Sequence, residues 1–302
     1  MAVATNGPVE LYYETFGRSN DDALLLVNGL GSQCINFDVD LCQRFVDEGF
    51  FVIRFDNRDV GLSTKFEDFT PHLSDVRAAV RDGRRPEVPY GLSDMANDAV
   101  AVLDALNIRA AHVVGVSMGG MIVQQLAIDH RERLSSMTSI MSTTGRPGLP
   151  PGDADTLAVL TRPPKSSSRE DLIDNGILVR HALASPGFPQ SEADIRAFVE
   201  RVVDRAPYDP AGIARQLAAI IAAPPRNELL KAVRRPALVL HGDSDRLLPV
   251  AAAKDTAESI PGAELIIVPG MGHDFAPALG PVYLKHIGDF ISSVEAETAA
   301  AQ

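Results

Sequence analysis

The stretch that decides the fold is His112–Ala127, "HVVGVSMGGMIVQQLA". Its apolar start, "HVVGV", reads as a strand buried on both faces, and Met121, Ile122 and Leu126 then recur at helical spacing. Between the two, Gly115, Ser117 and Gly119 form a G-x-S-x-G element, which places one hydroxyl in a tight strand-to-helix turn. Glycine suits the flanks of such a turn because neighbouring backbone comes too close to admit a Cβ.

On either side, short apolar runs alternate with amphipathic stretches. Val9–Phe16 and Ala23–Val27 read as strands, and the turn-like "GRSNDD" between them predicts that they pair as a hairpin. Phe37, Leu41 and Phe45 fall at i, i+4 and i+8 before Gly49, which predicts a helix with a glycine just past its end. The run "FFVIRFD" predicts a buried strand ending at Asp56. Ser93 is the expected N-cap of a helix that carries Met95, Ala99, Val102, Leu103 and Leu106. Further strands are expected over Ser136–Ser142, Pro236–Gly242 and Ala263–Gly270. The alternation predicts an α/β fold: a mostly parallel, twisted sheet flanked by helices on both faces.

One region departs from this rhythm. Residues 145–235 contain proline-rich joints ("RPGLPPGD", "TRPPKSSS", "AAPPRN") and short helical patterns but no strand, so a helical insertion is expected there. The core is then 1–144 together with 236–302. The alanine-rich end, "AETAAAQ", is expected to fray.

Composition removes several classes of function. The 28 basic and 40 acidic residues give a formal charge of −12, and no run of Lys or Arg is long enough to follow a phosphate backbone, which argues against nucleic acid. No transmembrane segment is expected, because no apolar stretch approaches 18 residues; with no signal-like N-terminus, a cytoplasmic protein is expected. Cys34 and Cys42 are expected to be free thiols. No metal or cofactor is expected, since H-E-x-x-H, paired C-x-x-C, Walker A and G-x-G-x-x-G signatures are all missing.

A serine hydroxyl is a weak nucleophile near neutral pH and needs a base, itself oriented by an acid. Both follow Ser117 in the chain. "HGDSD" puts Asp243 and Asp245 in the loop after one strand, and "GMGHDF" puts His273 after the last. Asp245 is the expected acid, because Asp243 directly follows Gly242 and suits the turn itself. Six other histidines compete, His72, His112, His130, His181, His241 and His286; His112, His130, His241 and His286 are better explained by packing or exposure, and His273 alone falls in a glycine-rich loop after a late strand. Acyl transfer also needs donors to a developing oxyanion. The expected donors are the N–H of Met118, at the start of the helix, and the N–H of Leu30 in "NGLG".

Taken in order, "NGLG", "GVSMG", "HGDSD" and "GMGH" resemble the α/β-hydrolase family over nearly the whole chain, and the 145–235 insertion resembles that family's helical cap. With "FDNRDVGLS", the motifs are similar to the serine esterase branch typified by aclacinomycin methylesterase. Two positions depart from the pattern: Asn28 stands where many relatives have His, and Asp59 where Gly is common. Asn28 is expected to take over loop support through its side-chain amide.

The resemblance implies a serine hydrolase of carboxylic esters, thioesters or lactones, working through an acyl-enzyme on a moderately hydrophobic small molecule. It leaves open a cofactor-free haloperoxidase or perhydrolase, or a small-molecule receptor of the same fold. Phe37, Met118, Leu149, Leu160, Phe188 and Phe275 are the expected apolar lining of the site.

Overall fold

The computed structural model describes residues 2–300. Eight strands, β1 (Ala2–Asn6), β2 (Val9–Phe16), β3 (Asp22–Val27), β4 (Phe50–Phe55), β5 (Ala111–Val116), β6 (Leu134–Ile140), β7 (Ala237–Gly242) and β8 (Glu264–Val268), form one sheet in the order β1-β2-β4-β3-β5-β6-β7-β8. From β4 to β8 every neighbouring pair is parallel; β1 and β2 are attached antiparallel at one edge.

The expected hairpin between Val9–Phe16 and Ala23–Val27 does not form. β2 pairs with β1 on one side and β4 on the other, with Phe16 opposite Val52, while β3 lies between β4 and β5. The reason lies in β3 itself. From Ala23 to Val27 it is buried throughout, so both of its edges must be paired and both of its faces covered, which an edge hairpin cannot provide.

The pleat divides the core in two. Leu25, Val27, Ile53 and Val113 face one layer, and Leu24, Leu26, Val52, Val114 and Val116 face the other. Helices α1 (Val39–Asp47), α2 (Leu73–Arg81), α3 (Leu92–Ala105) and α4 (Met118–Asp129) come before β6. Between β6 and β7 lie α5 (Ala154–Thr161), α6 (Arg169–Leu183), α7 (Glu192–Arg205), α8 (Pro210–Ala222) and α9 (Asn227–Leu230), with no strand; α10 (Val250–Ser259) and α11 (Gly280–Ala300) follow. The apolar faces of α3 and α4 cover one side of the sheet, and those of α1 and α11 the other. Among the inserted helices, Ile173, Ile195 and Val199 make a small core of their own.

Local details adjust three expectations. Phe37 precedes α1, whose N-cap is Asp38, its carboxylate accepting from the Leu41 N–H at 2.7 Å. The N-cap of α3 is Gly91 and not Ser93; Asp94, three residues on, accepts from the Gly91 N–H at 2.8 Å, which supplies the carboxylate half of a capping box. The alanine-rich end continues α11 to Ala300 instead of fraying, and its last two residues lie outside those described. Among the described residues no helix is long and apolar enough to cross a membrane.

Candidate active site

The site forms where β5 meets α4. Ser117 sits at φ 56°, ψ −116°, a region that L-residues rarely occupy, and its N–H is held by the carbonyl of Ile140 at 2.9 Å. The flanking glycines are required sterically. A Cβ on Gly115 would overlap the carbonyl of Gly119, and one on Gly119 would overlap the carbonyl of Val27 in β3. Sheet, turn and helix therefore touch backbone to backbone, and the serine is pushed out at the carboxyl end of the strands.

His273 arrives from the loop after β8. Its Nε2 is 2.9 Å from Ser117 Oγ and its Nδ1 is 2.7 Å from Asp245 Oδ2. Because an ionised carboxylate only accepts, Nδ1 carries the proton and Nε2 is left to accept from the serine. Asp245 Oδ1 takes the N–H groups of Leu247 and Leu248 at 2.9 and 2.8 Å. Burial pushes this carboxyl up, but the charge and hydrogen bond of His273 and the Leu248 N–H outweigh it, and Asp245 is held below the ordinary carboxylate range. Asp243 is exposed; its Oδ1 accepts from the Gly270 N–H at 2.7 Å and so closes the turn beneath His273.

The loop after β3 passes directly against the serine. A Cβ on Gly29 would lie 3.2 Å from that of Ser117. The N–H groups of Leu30 and Met118 donate to no other protein group among the described residues. Asn28 holds the loop by its oxygens: its carbonyl accepts from Asn57 Nδ2 at 3.0 Å and its Oδ1 from Asn36 Nδ2 at 3.4 Å. Of the side-chain amide expected to take over the support, the oxygen is engaged and the nitrogen is buried without a partner.

Two groups carry weak or no sequence signal. His241 Nε2 is 3.4 Å from Asp245 Oδ2 and 2.8 Å from the Leu248 carbonyl, so a second imidazole borders the carboxylate; burial holds it below the ordinary histidine range. The signal was its i, i+4 spacing to Asp245. The other is Arg205 of α7, which reaches Asp56 Oδ2 at 2.8 Å while Asp56 Oδ1 accepts from the Cys34 N–H at 2.6 Å. Nothing in the sequence connected α7 to Asp56.

Some expected lining residues are used elsewhere. Phe37 is fully buried and stands edge-on to Phe275 at 5.1 Å, and Phe275 stacks on Tyr283 at 4.3 Å, so both aromatics pack the core layer under α11. The side chain of Met118 is likewise in the core. Cys34 and Cys42 are free and buried, and burial raises both thiols, Cys42 to about 12, which leaves them weak nucleophiles. Among the described residues no group of His, Cys, Asp and Glu is arranged to hold a metal.

A twisted parallel sheet with a serine on a strained strand-to-helix turn defines a class, and the chain's relatives agree with it. Residues 22–276 match the family described as the alpha/beta hydrolase fold. The chain belongs to this family. It is 31% identical over 291 residues to the rhodomycin D methylesterase DnrP of Streptomyces peucetius, spanning 89% of this chain and 90% of that protein. It is 27% identical over 259 residues to 3-oxoadipate enol-lactonase 2 of Acinetobacter baylyi, spanning 83% and 82%. The crystal structure of the esterase RhEst1 from Rhodococcus sp. ECU1013 shares the fold with a TM-score of 0.73 at 21% identity, covering 97% of this chain and 98% of that one. Within the family the chain is a carboxylic ester hydrolase, on the esterase branch that the sequence motifs resemble.

Proposed function

We propose that the chain is a serine hydrolase that cleaves carboxylic esters of moderately hydrophobic small molecules through an acyl-enzyme, with Ser117 as nucleophile, His273 as base and Asp245 as the acid that orients it. The observation that carries this reading is the unbroken chain from Asp245 Oδ2 through His273 to Ser117 Oγ, at 2.7 and 2.9 Å, ending on a serine at positive φ. Ser117 Oγ attacks the ester carbonyl carbon as its proton passes to His273 Nε2. The carbonyl oxygen, now negative, takes the N–H groups of Leu30 and Met118, the second at the positive end of α4. Collapse breaks the ester C–O bond, and His273 returns the proton to the leaving alcohol. A water activated by the same imidazole then releases the acid.

In this reading residues 1–144 and 236–302 are the catalytic core and 145–235 the helical cap over it. The identity to a methylesterase supports methyl esters as the first substrates to examine. The two buried free thiols support a reducing, cytoplasmic setting. The test is hydrolysis of a panel of p-nitrophenyl and methyl esters by wild type and Ser117→Ala. Wild type turns esters over, and the variant keeps its fold and loses turnover; turnover retained by purified Ser117→Ala refutes the assignment.

A further inference from the structure

Helix α8 of the insertion is docked on two core loops by one face. At Gly212 a Cβ would overlap the carbonyl of Asp59, and Ile213 Cγ1 would lie 3.3 Å from a Cβ on Gly31. Arg215 pairs with Asp59 through two hydrogen bonds. Next to it Gln216 is fully buried, with both ends of its amide engaged: Oε1 accepts from the Gly31 N–H at 2.8 Å, and Nε2 donates to the Arg58 carbonyl at 2.7 Å.

The Gly31 bond matters because of the turn it sits in. The Ser32 N–H donates to the Gly29 carbonyl at 3.2 Å, closing a four-residue turn with Leu30 and Gly31 at its centre. Gly31 has φ +66° while Leu30 is not at positive φ, the combination that marks a type II turn. Types I and II differ by a flip of the central peptide, here Leu30–Gly31, and the peptide just before it in the same turn, Gly29–Leu30, carries the Leu30 N–H. Gln216 holds the N–H of that peptide, and the same side chain is braced on Arg58.

We infer that Gln216, a residue of α8, is a positioning residue for catalysis: by anchoring the Gly31 N–H and bracing it on Arg58, it holds against Ser117 the turn whose first peptide carries the Leu30 N–H. The inference rests on the proposed role of Leu30. α8 is then a fixed strut of the site, and any movement of the insertion that withdraws it undoes the donor pair.

The test compares wild type, Ser117→Ala, Gln216→Met, which keeps length and removes both hydrogen bonds, and Val199→Ala, which loosens the small cluster with Ile173 and Ile195 and leaves the Gln216 hydrogen bonds in place. Each is assayed for p-nitrophenyl ester turnover, melting temperature and affinity for phenylboronic acid, whose tetrahedral serine adduct places an oxygen between the two donors. Gln216→Met is expected to lower kcat roughly 10²-fold with little change in KM, the size of effect that a small misplacement produces. Phenylboronic acid should weaken in parallel, while Val199→Ala loses melting temperature and keeps kcat. Gln216→Met with wild-type kcat and boronate affinity overturns the inference, as does a loss confined to KM. Turnover surviving in Ser117→Ala identifies a failure of the underlying reading instead. If Gln216→Met does not fold, amide hydrogen exchange in the wild type decides: protection of Gly31 is expected, and exchange at the unprotected rate overturns the inference.

Discussion

Arg215 of α8 and Asp59 of the loop after β4 form a two-pronged ion pair, Nε to Oδ2 at 2.9 Å and Nη2 to Oδ1 at 2.8 Å, with both side chains out of water. The carboxylate also accepts from the Phe66 N–H at 2.8 Å and the Tyr90 hydroxyl at 2.5 Å. The side chain that stands where relatives commonly have glycine therefore serves as the anchor of α8. Its φ of +68° shows that the backbone still adopts the left-handed turn for which glycine is the usual choice.

Removing one partner should cost more than the pair itself contributes, because it strands a charge in the interior. Arg215→Met is expected to destabilise the protein by roughly 3–5 kcal/mol. The double variant Asp59→Asn/Arg215→Met should recover part of that loss. Denaturant unfolding of wild type, Asp59→Asn, Arg215→Met and the double variant measures both; additive losses in the double variant would contradict the coupling.

The two aspartates after β7 should separate sharply. Asp245→Asn leaves His273 Nδ1 facing an amide that can present a donor, so the imidazole turns or takes the wrong tautomer, and kcat is expected to fall by roughly 10⁴-fold. Asp243→Asn loosens only the turn at Gly270 and should keep most of the turnover. Steady-state kinetics on one ester decides, and the opposite ranking would move the acid's role to Asp243.

Acid sensitivity should begin in the histidine range. Burial holds His112 and His241 below the ordinary imidazole value, so above about pH 6.5 folded and unfolded chains both carry them neutral and their effect on stability is constant. Below that the unfolded chain takes up protons that the folded one does not, and stability is lost as pH falls toward the folded values. His112 lies on β5 with Nδ1 2.8 Å from Ser136 Oγ, on the opposite end of the strand from Ser117. His112→Gln is expected to flatten the fall in melting temperature between pH 7 and 5 while leaving turnover intact. An unchanged pH slope would remove His112 from the explanation.

Glycines of the turn should tolerate nothing larger. Gly119→Ala drives a methyl into the Val27 carbonyl, so β3 and α4 must part and turnover should be lost. Gly262→Ala, at φ +78° but facing open space, pays only the left-handed backbone cost of about 1–2 kcal/mol and should keep full activity. Circular dichroism melts with ester assays on both distinguish crowding from backbone strain.

Much of the site could be read along the chain because its parts are local. Gly115–Gly119 announces itself by a strand on one side and a helix on the other, and Asp245 and His273 each follow a strand within a few residues. The pairing of β3 could not be read in this way. An apolar run looks the same whether its partner is the preceding strand or two strands that come later, and burial of both faces settled it. Ser93 misled because a serine before an apolar stripe is a common N-cap, whereas here the Asp94 carboxylate reaching back to Gly91 sets the start two residues earlier.

By itself the sequence determined the strands from β2 to β8 in chain order, the turn that exposes Ser117 and the identity of the groups that reach it, since these follow from periodicity and from backbone sterics over a few residues; it gave no sign of β1 or α2. Only the tertiary structure decided what α7 and α8 touch. Arg205 meets Asp56, 149 positions away, Arg215 meets Asp59 at 156, and Gln216 meets Gly31 at 185. No local preference encodes such contacts. They exist because packing α8 against two core loops takes buried charges and amides out of water, and each then has to find its partner in whatever the fold has brought beside it.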